Sequence, residues 1–329
     1  MKTASRESPL RPLAAALLLA AGAAPARGGM LAPSAFSAGA AGTAGAEFLK
    51  LAGSARESAL GGAAAAGAQG ADALFSNPAG LASLRPDSRS EASLSYDNLL
   101  ESSYLGSAAW GRPLGRSGAV GAELVYFSQD AQTAYNGQGD AVGSFRPYDL
   151  AVGAAYARRF GGFAAGAGLK LIRSSVDDAS GTSAAVDFGA QAPGVVLVGD
   201  RPLDIGAYVS NLGPPIKVGG ASAPLPLAIV GGALWHLADP VDASFDLHLP
   251  SDQDPYVSLG VEASYRFDQR RHSAFLRLGY DQSHARELDG AAGMTAGGGL
   301  DLGSFRVDYA WVPYGDLGMQ NRVTLALRF

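Results

Sequence analysis

The sequence predicts an all-β fold closed into a transmembrane antiparallel β-barrel of about 14 strands. Three observations lead there. Apolar residues alternate with small or polar ones at a period of two from residue 89 to residue 329. Glycine accounts for 45 of 329 residues, while charged residues make up only 17%. The chain ends on Phe329, in phase with the apolar residues of its last run.

The elements follow in chain order. Residues 1–26 read as a signal peptide: Lys2, Arg6 and Arg11 precede an uncharged Leu/Ala run, Leu13 to Ala24, and Ala24-Pro25-Ala26 has the small-x-small form of a cleavage site. The run is shorter than the ~20 residues a helix needs to cross a bilayer. Cleavage leaves 22 basic and 29 acidic residues, a net charge of -7 against -5 for the full chain. Residues 27–46 are rich in Gly, Ala and Ser, with few apolar anchors, and are expected to be mobile. Residues 47–88 form a segment of their own. Phe48, Leu49, Leu51 and Leu60 among small residues allow a helix or two up to Ala66, and Asn77-Pro78 with Gly80 marks a turn between short helical pieces.

From residue 89 the runs fall near 89–97, 102–112, 117–128, 146–159, 163–175, 182–193, 203–211, 224–237, 241–249, 255–267, 273–281, 293–303, 305–313 and 320–329. Val323, Leu325, Leu327 and Phe329 oppose Arg322, Thr324, Ala326 and Arg328; Phe305, Val307, Tyr309 and Trp311 oppose Arg306, Asp308 and Ala310. Val218 to Ala238 carries no charge, yet Pro224 and Pro226 disfavour a helix there, so it reads as a turn and then a strand.

The opposing face decides between a soluble sandwich and a barrel in lipid. A sandwich shows water a face rich in Lys, Glu and Thr. Here that face is Gly, Ala and Ser with isolated charges, as in a confined interior. Arg158 and Arg173 share the apolar phase but sit at strand ends, where a charge costs ~0–1 kcal/mol rather than ~2–4 at mid-bilayer. Glu123, Lys170, Asp187, Glu262, Arg266, Arg277 and Asp308 fall on the inner phase, either as a salt-bridged interior or as the lining of a path. Periodicity alone also admits a soluble periplasmic β-protein; the signal peptide and Phe329 favour the barrel.

The residues also resemble a known family. Phe48-Leu49-Lys50, Ala55-Arg56 and Asn77-Pro78-Ala79-Gly80-Leu81 look like the N-terminal region of the PorV/PorQ family of outer-membrane proteins. Val209 to Lys217 is similar to that family's mid-barrel segment, and Tyr309 to Phe329, with Tyr314-Gly315-Asp316, to its closing hairpin. Residues 61–71 depart from the pattern in holding only small residues and Gln69. The resemblance implies a 14-stranded FadL-like barrel, residues 89–329, with residues 47–88 folded into the lumen as a short N-terminal helical plug. It implies a place in the outer membrane of a diderm bacterium, and contact of the C-terminal strand with barrel-assembly machinery. It implies an accessory, partner-binding role in protein export of the type IX kind, with secreted cargo or secretion-apparatus subunits as partners. The alternative is a FadL-like passive channel for hydrophobic small molecules.

No catalytic signature accompanies these readings. There is no G-x-S-x-G elbow and no P-loop, and the chain has no cysteine, so disulfides and thiolate chemistry are excluded. The four histidines lack metal-ligand spacing, and a net acidic chain lacks the basic excess of a nucleic-acid binder. The expectation is a non-enzyme with no cofactor and no metal.

Overall fold

The computed structural model describes residues 31–32, 34–84, 89–268, 272–287 and 291–329. The expected signal peptide lies outside the described residues. Fourteen strands close into one antiparallel barrel. They are β1 (Glu91–Asn98), β2 (Ser103–Pro113), β3 (Ala119–Gln129), β4 (Tyr148–Phe160), β5 (Phe163–Val176), β6 (Ala179–Val198), β7 (Arg201–Leu212), β8 (Ala228–Ala238), β9 (Val241–Pro250), β10 (Tyr256–Arg266), β11 (Ser273–Asp281), β12 (Met294–Asp301), β13 (Phe305–Pro313) and β14 (Met319–Arg328). Each pairs with its neighbours in sequence, and β1 closes on β14 with Leu94 opposite Leu325. Closure leaves no unpaired strand edge, which lipid would not tolerate.

The burial pattern is inverted relative to a water-soluble protein. Leu94, Leu276 and Leu327 are 64%, 65% and 52% exposed, while Ser93, Asp97, Arg277 and Asp308 are buried. Leucine on the outer face gains from lipid, and the polar groups gain from one another inside. Aromatic side chains mark both ends of the outer band. Tyr96, Tyr104, Tyr126 and Tyr148 stand side by side with ring centroids 6.1–6.4 Å apart. At the other end Phe160 stacks on Phe163 at 5.5 Å. Tyr148 and Phe160 lie twelve residues apart on β4, ~40 Å along the strand and ~30 Å along the normal at a ~40° tilt. Arg158 and Arg173 are exposed near opposite ends of this band, the positions where a charge is tolerated.

The two ends differ. At one, the six connections are at most six residues long, residues 161–162, 199–200 and 239–240 being the shortest, and β1 starts and β14 ends there. At the other, they include residues 130–147, 213–227 and 282–293. The first of these holds an exposed hairpin, Gln132–Tyr135 with Ala141–Phe145. The second folds inward as a hairpin, Ile216–Val218 with Ala221–Ala223. The third begins with a short helix, Gln282–Glu287, that the sequence did not signal.

Residues 47–84 fill the lumen as four short pieces rather than one or two longer helices. Glu47–Lys50, Ala71–Phe75 and Pro78–Ser83 are 3-10 turns. Helix α1, Ala55–Ala59, starts on Ser54, whose hydroxyl accepts from the Glu57 amide. The helix expected to extend up to Ala66 stops at Leu60, because Gly61 and Gly62 take φ of +65° and +84°. The turn expected at Asn77-Pro78 is present. The Asn77 side chain caps Ala79, and Pro78, which lacks an N–H, opens the turn.

Candidate functional site

The site is the interface between the plug and the inner wall. Small wall residues let the plug backbone approach. A Cβ added at Gly189 would lie 1.9 Å from Asn77 Oδ1, and one at Gly206 would lie 2.0 Å from the Ala65 carbonyl. Asn77, fully buried, is the hub of that contact. Its amide donates to the carbonyls of Ala65 at 2.7 Å, Ala190 at 3.1 Å and Ala207 at 3.4 Å, while Oδ1 accepts from Ala79 N at 3.1 Å. Gly80 is equally constrained, since a Cβ there would meet the Ala68 carbonyl at 2.3 Å.

The end with long connections carries an apolar cap. Phe48, Leu105, Ile172, Ile216 and Leu225 form one buried cluster, with Leu49, Leu51 and Phe127 against it. Thus Phe48 and Leu49 of the plug meet the inward-folded 213–227 connection inside the lumen. Lys50 stands at the rim, where its ammonium reaches Asp252 at 2.7 Å and also contacts Glu47. Burial works against that charge, but Asp252 and Glu47 more than offset it and hold the lysine above its usual pKa.

The inner-phase charges fall into two sets. On the β3–β7 wall, Lys170 pairs with Asp187 at 2.8 Å and donates to Asn211 Oδ1 at 2.7 Å. Asp187 accepts from Asn211 N at 2.8 Å, at a register shift between β6 and β7. Asn211 takes φ +61°, a conformation Asn tolerates better than other non-glycine residues. Glu123 lies across Gly153 from Lys170. On the β10–β13 wall, Glu262 accepts from Arg277 at 2.5 Å and from Arg56 of the plug at 3.1 Å. Arg277 also donates to Asp308 at 2.6 Å. Five of these six charges are thus ion-paired, Lys170 with Asp187 and Arg277 with Glu262 and Asp308, while Glu123 is buried and makes no ion pair among the described residues. Arg266 does not join them. It lies at the end of β10, is exposed, and makes no ion pair among the described residues.

Sequence reasoning missed several partners. Asp72 of the plug pairs with Arg306 at 2.8 Å, and Asp97 pairs with Arg322 across the β1–β14 closure. Asp246 accepts from the amides of Ala64 and Ala65, both at 2.8 Å. Arg306 shares its phase with Asp308, which was the available signal. Asp97 and Arg322 gave none, because their contact exists only once the first and last strands meet. The closing hairpin is a turn framed by Gly315 and Gly318, with φ of +60° and +116°. Tyr314 donates to Gln320 at 2.9 Å, Asp316 is exposed, and Phe329 is 66% exposed on the outer face.

A cavity of about 330 Å³ lies beneath the plug at the end with short turns. Arg56, Gln69 and Leu84 of the plug and Glu91, Arg277, Arg306 and Arg328 of the wall line it. The lumen is thus apolar at one mouth, packed in the middle and charged at the other.

Solved toluene transporters share this architecture. The Pseudomonas putida toluene transporter TodX superposes with a TM-score of 0.54 at 14% identity, covering 82% of this chain and 95% of its own. The Ralstonia pickettii toluene transporter TbuX gives 0.55 at 14% identity, covering 85% and 99%. At that identity the likeness establishes the fold alone, a closed antiparallel barrel, here of 14 strands. No family model matches the chain, and no curated protein does. The PorV/PorQ resemblance rests on the sequence motifs alone.

Proposed function

We propose that this chain is an outer-membrane channel that passively admits hydrophobic small molecules. The observation that carries the reading is the apolar cap. A cluster of Phe48, Ile172, Ile216 and Leu225 inside a polar lumen, at the mouth bearing the long connections, is where an apolar solute would leave water. The two transporters with the same fold carry toluene, which supports a solute of that class. Both readings drawn from the sequence, export accessory and channel, use this barrel; the lumen and the solved structures favour the channel. Lys170 pairs with Asp187, and Glu262, Arg277, Asp308 and Arg306 stand in series along the opposite wall, so much of the lumen charge serves to hold the interior together.

Uptake of labelled toluene by cells expressing the protein tests the proposal. The rate should exceed that of cells carrying Phe48→Asp, which places a carboxylate in the cap. Uptake by the native chain no faster than by cells lacking it would sink the proposal. Recovery of a secreted protein on detergent-solubilised native chain, without added uptake, would restore the export reading.

A further inference from the structure

Six charged side chains form one chain of contacts that alternates in sign. Arg56 Nε meets Glu262 Oε2 at 3.1 Å, and Arg277 Nε meets the same oxygen at 2.5 Å. Arg277 Nη1 meets Asp308 Oδ1 at 2.6 Å, Arg306 Nε lies 2.8 Å from Asp308 Oδ2, and Arg306 Nη2 reaches Asp72 Oδ2 at 2.8 Å. The series begins and ends on the plug, with Arg56 on α1 and Asp72 on the Ala71–Phe75 turn. Its four middle members are on the wall, on β10, β11 and β13.

The position of the plug–wall boundary within this series matters. A buried ion pair that loses one partner strands a charge and is strongly destabilised. Here, separation at Arg56–Glu262 and at Asp72–Arg306 strands none. The wall keeps Glu262, Arg277, Asp308 and Arg306, two anions and two cations still within ion-pair distance in sequence. The plug leaves with one cation and one anion. The other hydrogen bonds of α1 to the barrel are neutral: Ala55 N donates to Thr324 Oγ1 on the adjoining β14 at 2.8 Å, and Thr295 Oγ1 on β12 to the Ala59 carbonyl at 3.0 Å. Water can replace both. The cavity of about 330 Å³ runs along this seam, lined by Arg56, Glu262, Arg277 and Arg306, and gives water access to both ion pairs. On the opposite wall, Asn77 fixes the plug to the backbone of β6 and β7.

We infer that the Arg56–Glu262 and Asp72–Arg306 pairs are a releasable catch, and that the lumen opens where they part, between the plug and the β10–β13 wall, with Asn77 as the anchor. This inference concerns the route and not the solute, so it is tested with small ions and stands or falls apart from toluene uptake.

The experiment is single-channel recording in planar bilayers. The Arg56→Met, Asp72→Asn double variant removes both plug ends and leaves the wall quartet whole. It should open at least about tenfold more often than the native chain, since loss of one charge-assisted bond shifts a two-state equilibrium by that order. The chain has no cysteine, so Leu60→Cys with Gly260→Cys supplies one specific tether. An added Cβ at Gly260 lies 3.0 Å from that of Leu60, slightly inside the ~3.5–4.5 Å of a disulfide. Oxidation of the tether should abolish the gain, and reductant should restore it. A double variant that opens no more often than the native chain overturns the inference, and so does a gain that survives the oxidised tether. If the double variant gives no heat-modifiable barrel, the tether on the native background decides. Its oxidised form should silence spontaneous openings in high salt, and equal opening in both redox states overturns the inference.

Discussion

Asn77 is where a single side chain does most to seat the plug. Its amide supplies N–H donors to three backbone carbonyls, one on the plug and two on the wall, and its oxygen caps a turn. Asn77→Ala leaves those carbonyls short of a donor in a buried site and removes the cap, each worth ~1 kcal/mol. The expected loss of plug docking is ~2–4 kcal/mol, read as roughly 30-fold or faster hydrogen exchange of amides in residues 55–84, with the barrel strands unchanged. Asn77→Asp should exchange faster still, because it aims a carboxylate at the same carbonyls. Equal protection in all three proteins would deny Asn77 its role. The importance of Asn77-Pro78 was legible in the sequence as a turn. Its donor role was not, since that depends on Ala190 and Ala207 arriving from strands more than a hundred residues away.

At the scale of the strand, period-two alternation carries the information and also sets its limit. It gave each strand and its inner face, because a one-residue slip would turn every leucine of β11 or β14 inward. Ends were less legible where proline or a register shift intervenes. β8 begins at Ala228 rather than at 224, after Pro224 and Pro226, and β6 runs on to Val198 past the shift between Ala192 and Val196. Which inner charges meet was not legible at all, since pairing depends on the register between strands. Alternation also separates glycines that look alike in sequence. Gly189 and Gly206 face the plug at 1.9 and 2.0 Å, whereas an added Cβ at Gly106 on the outer face of β2 meets nothing within 4 Å. Gly189→Ala and Gly206→Ala should each expose the plug to proteolysis while the barrel still forms. Gly106→Ala should leave both unchanged, as a methyl group toward lipid disturbs neither. Identical digestion of the three variants would mean that the close approach is not a constraint.

At the scale of the molecule, the glycine excess and the charge deficit serve one arrangement: an apolar band outside, small residues where the plug touches, and most inner charges drawn into ion pairs. The arrangement also has a direction. Bacterial outer-membrane barrels have short periplasmic turns and longer outer loops. The connections 161–162 and 199–200 and the closing end of β14 would then face the periplasm, and 130–147 and 213–227 the exterior. In that orientation the apolar cap meets incoming solute, and the charged cavity is the exit. A chain without cysteine allows a direct test with a membrane-impermeant maleimide. Gly137→Cys, exposed in the 130–147 connection, should label on intact cells, whereas Asp200→Cys, exposed in a short turn, should label only after the outer membrane is permeabilised. The reverse pattern would put the apolar cap at the exit and remove the main physical support for solute capture there. Labelling of both sites in a soluble fraction would remove the membrane itself from the account.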